Sequence, residues 1–457
     1  MTIKNIATVK KNNDVQSSCG CQALDQVHCR KQVMMSSRRI LDQVHSRYDD
    51  NLDVGTICGL WKSSIDELSE LDNVYQKRRE NSRQQCNQLA PESFHRSMRA
   101  GAARGGNIFY DPNTNSMYCS VAKIGSSMWK RLFLVLHSNK TRDPFSLSGL
   151  AIHTNQEMAQ LSLSKLPKKK RLQVIDDAFT FMFARNPFHR IFSAYCDKIF
   201  MLAYETKKIV RDVRRKLRQA NRYSSSTDEF IYTGPEYNVT FAETLDYAAR
   251  SNDTHFMTIS SQCNPCDIEF QVLGKLESLD LDSRYILAKL NRSHILRNKP
   301  HEEKFKQSRD QGIIKELVER VFRVLNAEPK ATSKYKALVR MWKVFHIRGL
   351  VRDDLQFPLN ESESESLTAF RMIYLGMQAL KDSGRPEVRL AQREKYYAQA
   401  FRSVPLAVME RFSKYVDTDC KLFDYDCSPS DIFQGRQHGD EEDNIFSNDQ
   451  FLYTRTR

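Results

Sequence analysis

A run of apolar residues in the middle of the chain gives way to helical spacing within a few positions. Phe179–Phe183 reads FTFMF, which suits a strand buried on both faces. Asn186 and Pro187 interrupt this run, because proline favours an extended residue before it and tolerates a first helical turn after it. Apolar residues then recur at helical spacing through Ile191–Ile199. The pattern predicts a strand, a tight turn and a helix, with Arg185 at the carboxyl end of the strand, where open α/β sheets bind ligands.

A similar succession lies earlier in the chain. Met117–Ala122 (MYCSVA) has the pattern of a strand, Lys123–Ser127 (KIGSS) that of a turn, and Met128–Leu136 that of a helix with one apolar face. A third apolar strand is predicted within Ile268–Glu277. Strands that alternate with helices indicate the α/β class, with a parallel β-sheet flanked by helices.

The regions around this pattern differ in composition. Residues 1–105 are polar and rich in Gln and Arg, which predicts an N-terminal extension that is helical or disordered. Residues 106–427 form the predicted main domain, with a helical insertion around residues 282–395. Residues 428–457 are polar and carry the acidic run GDEED, which predicts a disordered tail.

The charge of the chain narrows the range of partners. A formal net charge of +14 and a pI of about 9.2 imply an anionic partner, which could be a nucleic acid, an anionic glycan, a nucleotide or a membrane surface. No nucleic-acid recognition motif accompanies this charge, so we expect no nucleic-acid partner. The basic residues concentrate in Leu166–Leu172 and Lys207–Arg222, where a solvated helix face is the alternative to a binding surface. The sequence shows no signal peptide and no apolar run long enough to span a membrane.

The first predicted turn has the chemistry of an anion site. It places Lys123, Gly125 and the hydroxyls of Ser126 and Ser127 between a strand and a helix N-terminus. Free backbone N–H groups and the positive helix end form an anion cradle there, with an ordinary turn as the alternative. The lysine precedes the glycine, which disagrees with a Walker A loop and disfavours a nucleoside-triphosphate hydrolase. Because both strands lead into helices at one sheet edge, we expect Lys123 and Arg185 to face one crevice, which suits a ligand with two separated phosphates.

These two turns carry a resemblance to a known family. AKIGSSMWKR and ARNPFHRIFSAYCDK resemble the two donor-binding motifs of Golgi carbohydrate sulfotransferases, in the branch of the chondroitin and dermatan 4-O-sulfotransferases and the HNK-1 sulfotransferase. Asp253–Leu279 and Tyr396–Tyr425 are similar to two further blocks of that branch. The four blocks occur in the family's order, which is far more specific than any single motif.

The resemblance implies a fold, a reaction and a setting. It implies a P-loop-like sulfotransferase fold with extra helical segments. It also implies transfer of sulfate from 3′-phosphoadenosine 5′-phosphosulfate (PAPS), without a metal, to a hydroxyl of a glycan. The implied acceptor is an acidic glycan on a proteoglycan or glycoprotein. The implied location is the Golgi lumen or the Golgi membrane, with membrane association, although no anchor is visible in the sequence.

Two further features acquire an interpretation from the resemblance. In an oxidising lumen Cys263 and Cys266 of the CNPC motif would form disulfides, with each other or with another cysteine such as Cys119. A redox motif in a cytosolic protein is the alternative, whereas a four-cysteine zinc site lacks its second CxxC pair. Arg214 and Arg215 of the basic stretch would belong to a track for the acidic glycan.

The resemblance also assigns roles to individual residues. The 5′-phosphosulfate would be held by the first turn, through Lys123, Gly125, Ser126 and Ser127. Arg185 and Ser193 would hold the 3′-phosphate, and Arg190 in the same motif would either bind the donor or be structural. Lys123 would also stabilise negative charge on the departing phosphate. His153 and His255 are the candidates for the base that takes the acceptor proton, unless they are structural histidines. His153 is favoured because it lies between the two donor motifs.

Departures from the family's pattern keep one alternative open. Ala122 replaces the usual proline, and Asn186 replaces the acid after Arg185, which removes a carboxylate that could orient this arginine. A catalytically inactive glycan- or nucleotide-binding relative is therefore the alternative to an active enzyme.

Overall fold

The computed structural model describes residues 54–89, 107–138, 144, 152–153, 155–201, 206–219, 239–297, 302–327, 329 and 333–433. These residues form two compact units. One unit contains the described residues up to 80 together with 278–297, and within it Tyr75 donates a hydrogen bond to Asp282 at 2.6 Å. The other unit contains residues 81–277 and those from 302 onward, and it holds the sheet and every candidate site residue.

A four-stranded sheet lies at the centre of the second unit. Its strands are β1 (Ile108–Asp111), β2 (Ser116–Cys119), β3 (Phe179–Ala184) and β4 (Val272–Lys275), in the order β1-β2-β3-β4. β1 is antiparallel to β2, whereas β2, β3 and β4 are mutually parallel. The predicted α/β class, with a parallel sheet flanked by helices, is confirmed. The hairpin strand β1 was not anticipated from the sequence pattern.

Two predicted strands are longer than the observed ones. β2 ends at Cys119, because the chain bends toward Lys123, whose φ of 71° lies in the left-handed region. β4 begins only at Val272, because the preceding backbone closes a turn in which Ile268 N donates to Asn264 O at 3.0 Å. Burial continues beyond the paired residues, so the apolar pattern alone overestimates both strands.

Helices account for most of the remaining described residues. Their bounds are α1 (Val54–Leu89), α2 (Ser126–Ser138), α3 (Gln156–Gln160), α4 (Lys168–Asp177), α5 (Pro187–Tyr195), α6 (Thr206–Gln219), α7 (Phe241–Ala248), α8 (Ile259–Cys263), α9 (Leu279–Lys289), α10 (His294–Arg297), α11 (Glu302–Ala327), α12 (Lys334–Ile347), α13 (Glu361–Glu365), α14 (Ala369–Asp382), α15 (Pro386–Arg402), α16 (Leu406–Phe423) and α17 (Ser430–Phe433). A π-helical turn, Cys196–Phe200, directly follows α5. In the part of the chain that the structure describes, no helix is long and apolar enough to cross a membrane.

Two aromatic clusters fix the helices that carry the predicted motifs. Trp129 of α2 is fully buried, and its ring centroid lies 4.7 Å from Phe181 and 5.4 Å from Phe183 of β3. Phe188 of α5 packs edge-on against Phe401 of α15 at 5.7 Å. Buried aromatic contacts of this kind hold the first turns of α2 against β3 and the start of α5 against α15.

Three disulfides lie within the described residues. Cys119 at the end of β2 pairs with Cys263, and Cys86 pairs with Cys266. The two cysteines of the CNPC motif therefore pair with distant partners and not with each other. The third disulfide joins Cys420 to Cys427 across the end of α16.

The predicted division into an extension, a main domain and a tail stays a prediction. Much of 1–105 and of 428–457 lies outside the described residues, although α1 falls within the first segment and α17 at the start of the second.

Candidate active site

The first predicted turn joins β2 to α2 through two residues in the left-handed region. Lys123 has a φ of 71° and Gly125 a φ of 72°. This backbone costs a residue other than glycine about 1–3 kcal/mol, and such strain persists mainly at functional sites. α2 begins at Ser126, so the backbone N–H groups of Ser126 and Ser127 lie at the positive end of this helix.

The side chain of Lys123 is only 14% exposed and lies beside a carboxylate. Its Nζ lies 2.9 Å from Oδ2 of Asp197 in the π-helical turn. Burial lowers the pKa of Lys123 to about 8; the nearby Arg348 and Arg320 contribute to this, and Asp197 opposes it. Burial alone would raise the pKa of Asp197, but Lys123, Arg320 and Arg348 together bring it well below its usual range.

The second predicted turn contacts the first directly. The guanidinium of Arg185, at the end of β3, donates a hydrogen bond to the carbonyl oxygen of Lys123 at 3.0 Å. This contact follows from the register, because Cys119 at the end of β2 lies beside Met182 of β3. The structure therefore brings Lys123 and Arg185 together, as a shared crevice requires.

The position after Arg185 has a structural role of its own. The Asn186 side chain accepts hydrogen bonds from the backbone N–H groups of Phe188 and His189 and caps α5. A carboxylate still lies near Arg185, that of Glu277, which accepts from Asn186 N at 3.1 Å and from Tyr425 OH at 2.9 Å.

Cations surround Arg185. Burial, together with Arg393, Arg348 and Arg190, lowers its pKa to about 10, whereas Glu277 opposes this. Arg393 lies on α15, far from the motifs in sequence. Such a group of like charges favours an anionic ligand.

Arg190 is buried and uses its guanidinium on backbone carbonyls. It donates to Ala122 O at 3.1 Å, to Met257 O at 2.7 Å and to Thr254 O at 3.1 Å. These bonds tie the first turn to the Thr254–Met257 turn. Ser193 lies further along α5 and is half-buried.

Both candidate histidines have a polar partner. His153 Nε2 lies 3.0 Å from Ser127 Oγ, and His255 Nδ1 lies 2.7 Å from Asp253 Oδ1. Burial, together with the neighbouring Lys130, other cations and His255, lowers the pKa of His153 to about 4. A carboxylate only accepts hydrogen bonds, so His255 Nδ1 donates and its Nε2 carries the lone pair.

Several residues of the site were not anticipated from the sequence. They are Asp197, Lys198, Arg320, Arg348 and Arg393. Asp197 and Lys198 stand inside the SAYCDK part of the second motif and are buried, although charged residues are usually exposed, and only the fold shows this. Arg320 and Arg348 lie within and just after helices whose sequence pattern indicates only packing.

The basic stretch contributes less than the sequence indicated. Arg214 of α6 is buried and pairs with Glu243 at 3.1 Å, so its charge belongs to the packing of α6 against α7. Arg215 is exposed and pairs with Asp212 on its own helix. The predicted glycan track therefore loses Arg214. Separately, no group of His, Cys, Asp and Glu residues within the described ranges could hold a metal ion.

Comparisons with known proteins agree on one family. The family model described as "Sulfotransferase family" matches residues 106–343. Carbohydrate sulfotransferase 11 of Rattus norvegicus is 30% identical over 190 residues, which cover 40% of this chain and 52% of that protein. Carbohydrate sulfotransferase 10 of Danio rerio is 27% identical, covering 39% and 51%. Carbohydrate sulfotransferase 9 of Homo sapiens is 26% identical, covering 47% of each. The match thus spans about half the length of these relatives, and no solved structure matches the chain.

Proposed function

Because this chain belongs to the sulfotransferase family, we propose that it is a PAPS-dependent carbohydrate sulfotransferase that transfers sulfate to a hydroxyl of a glycan. The family inferred from the motifs is confirmed by its matches to several carbohydrate sulfotransferases. The observation that best supports the activity is the hydrogen bond from Arg185 to the carbonyl of Lys123, which joins the two donor turns.

The charges around the two turns fit a donor with two phosphate groups. Cations outnumber carboxylates there: Lys123, Arg185, Arg320, Arg348 and Arg393 against Asp197, Glu277, Glu316 and Glu394. An excess of positive charge at a partly buried site favours the binding of an anion.

Different residues of the site would bind different parts of the donor. Lys123, Gly125, Ser126 and Ser127 would hold the 5′-phosphosulfate, the last two through N–H groups and hydroxyls at the start of α2. When bound, PAPS supplies an activated sulfuryl group. Lys123 would then stabilise the charge that grows on its phosphate.

The second turn would hold the other end of the donor. Arg185 and Ser193 would bind the 3′-phosphate, with Arg393 close to Arg185. Arg190 is better described as a positioning residue, because three backbone carbonyls already occupy its guanidinium. It keeps the first turn beside the segment that carries His255.

We assign the acceptor proton to His255. Its Nδ1 is held by Asp253, so its Nε2 is free to accept a proton from a sugar hydroxyl. His153 interacts through Nε2 with Ser127, and its lowered pKa makes it a weaker base, so it would orient this serine.

The setting of the reaction is proposed on chemical grounds. The three disulfides are typical of an oxidising compartment, which agrees with a Golgi enzyme. The overall positive charge favours an acidic glycan of a proteoglycan or glycoprotein as acceptor.

Thermal unfolding with nucleotides tests the donor site first. At about 100 times its Kd, 3′-phosphoadenosine 5′-phosphate should add about 2.7 kcal/mol to the free energy of unfolding and raise Tm. Adenosine 5′-phosphate, which lacks the 3′-phosphate, should do so only at higher concentration. Arg185→Ala should remove this difference, whereas Lys421→Ala, an exposed lysine paired with Asp417 on its own helix, should keep it.

Transfer of labelled sulfate from PAPS to chondroitin, dermatan and glycoprotein glycans then tests the reaction. Transfer to any of them supports the enzyme. A nucleotide shift without transfer to any acceptor favours the inactive relative. No shift with a folded sample contradicts the enzyme and leaves a relative that binds glycan without nucleotide.

A further inference from the structure

Three cations from separate parts of the second unit meet at the Asp197 carboxylate. Oδ1 accepts a hydrogen bond from Arg320 at 2.6 Å and another from Arg348 at 3.2 Å. Oδ2 lies 2.9 Å from Lys123 Nζ. The Asp197 side chain is only 6% exposed, so these ion pairs are poorly screened by water.

The same network reaches the helix that follows the first turn. Arg320 also donates to Glu316 on α11 at 2.9 Å, and Glu316 lies 3.9 Å from the Arg131 guanidinium on α2. Charges alternate in sign along this path, from Arg131 through Glu316 and Arg320 to Asp197. The network thus contacts the first turn at Lys123 and the helix that follows it at Arg131.

The backbone at Asp197 is unusual as well. Cys196–Phe200 form a π-helical turn, and all five residues are buried. Isolated π-turns within helices are frequent at functional sites. Here the turn places an acid and its neighbour Lys198 inside the protein, where an ordinary surface helix would expose them.

We infer that Asp197 is a positioning residue that orients Lys123 and keeps it protonated for the donor. Arg320 on α11 and Arg348 just after α12, both outside the four sequence blocks, weaken this effect because they share the same carboxylate. The inference rests on the proposed function, because it concerns the lysine of the donor turn. Removing the acid would leave Lys123 facing two arginines with no counter-charge. Removing one arginine would strengthen the interaction of Lys123 with the Asp197 carboxylate, because one competing cation would be gone.

These two changes should shift the pKa of Lys123 in opposite directions. Burial lowers its pKa to about 8. The charged and titratable groups around it, on the π-turn and on or just after α11 and α12, are Asp197, Cys196, Lys198, Arg320 and Arg348. Burial raises the pKa of the Cys196 thiol to about 12, so it stays neutral. Loss of the acid should therefore lower the pKa of Lys123, and loss of an arginine should raise it.

The test is the pH dependence of 3′-phosphoadenosine 5′-phosphate binding, measured by calorimetry from about pH 6.5 to about pH 9.5, above the second phosphate ionisation at about pH 6. Wild-type affinity should fall as pH rises through about 8. Asp197→Asn should move this fall to lower pH by about one pH unit or more, and Arg348→Gln should move it to higher pH. Lys123→Arg should flatten the curve, because arginine keeps its proton over this range.

A matched control lies close to Arg348 in the sequence. Arg352 lies four residues after Arg348, is exposed and pairs with Asp354, so Arg352→Gln should leave the curve unchanged. If Asp197→Asn does not fold, Arg320→Gln and Arg348→Gln test the inference alone. In both variants the fall in nucleotide affinity should occur at higher pH than in the wild type.

A second measurement separates this inference from the proposed function. The rate at which acetic anhydride labels Lys123, followed by mass spectrometry against pH, reports its pKa without any nucleotide. Opposite shifts in Asp197→Asn and Arg348→Gln support the network even if nucleotide does not bind, in which case the proposed function fails alone. Equal shifts, or none, in both variants overturn the inference.

Discussion

At His255 a single hydrogen bond decides which nitrogen can act. Asp253 Oδ1 receives both the backbone N–H and the Nδ1–H of His255, so the imidazole has one orientation and one tautomer. His153 stands in a different environment, where burial and neighbouring cations lower its pKa to about 4. The two histidines are therefore expected to differ in kinetics as well as in position.

Substitution of each histidine separates their roles. His255→Asn should lower kcat by about 100-fold or more, the usual contribution of a general base, and leave nucleotide binding almost unchanged. His153→Asn should weaken nucleotide binding through Ser127 and change kcat less. Steady-state kinetics with calorimetry measures both effects.

Asp253→Asn provides the matched test of orientation. It should lower kcat less than His255→Asn and should add little to it in the double variant, because both act through one imidazole. A kcat that falls more in His153→Asn than in His255→Asn would reverse the assignment.

At the scale of elements, Arg190 is the side chain that connects them. It connects α5 to the first turn by a hydrogen bond to Ala122 O, and to the Thr254–Met257 turn by hydrogen bonds to two further carbonyls. Arg185, five residues earlier, instead stands among cations beside the first turn. Two arginines of one motif thus have different tasks.

Alanine substitutions should reveal this difference. Arg190→Ala removes the side-chain donor of Ala122 O, leaves Thr254 O and Met257 O with only the bond from Gln262 Nε2, and should lower the free energy of unfolding by about 2 kcal/mol or more. Arg185→Ala should cost less stability and remove the preference for a 3′-phosphate. Urea denaturation with nucleotide titration measures both. A stable Arg190→Ala protein that no longer binds nucleotide would place Arg190 in the donor site.

At the scale of the whole molecule, disulfides connect segments that are distant in sequence. Cys119–Cys263 has a sequence separation of 144, and Cys420–Cys427 a separation of 7. The first disulfide also ties the end of β2, just before the donor turn, to α8, just after the His255 segment. Its loss should therefore affect both stability and catalysis.

Paired substitutions test this. In the chain-entropy account, Cys119→Ala with Cys263→Ala should cost about 5 kcal/mol, whereas Cys420→Ala with Cys427→Ala should cost about 2.5 kcal/mol. Only the first pair should also lower kcat. Differential scanning calorimetry and sulfate transfer measure the two effects, and an equal loss in both variants would contradict the role given to the long-range disulfide.

The sequence by itself determined the local elements and the chemistry of the two turns. The apolar residues Phe179–Phe183 and the proline at position 187 were sufficient to predict β3 and α5, because strand and helix periodicities are local. The four ordered blocks were sufficient for the family, and they also contained the candidate residues from Lys123 to His255 except His153. The short strand β1 was missed because its four residues acquire their conformation from pairing with β2.

Only the tertiary structure decided which charges act together. Arg320, Arg348 and Arg393 come from helices whose sequence pattern reflects packing, and they reach the donor turns because α11, α12 and α15 share one core with α5. The partners of Cys263 and Cys266, the capping role of Asn186 and the burial of Arg214 were decided in the same way. Electrostatic interactions and disulfides depend on distance in space, whereas a sequence pattern reports only neighbours along the chain.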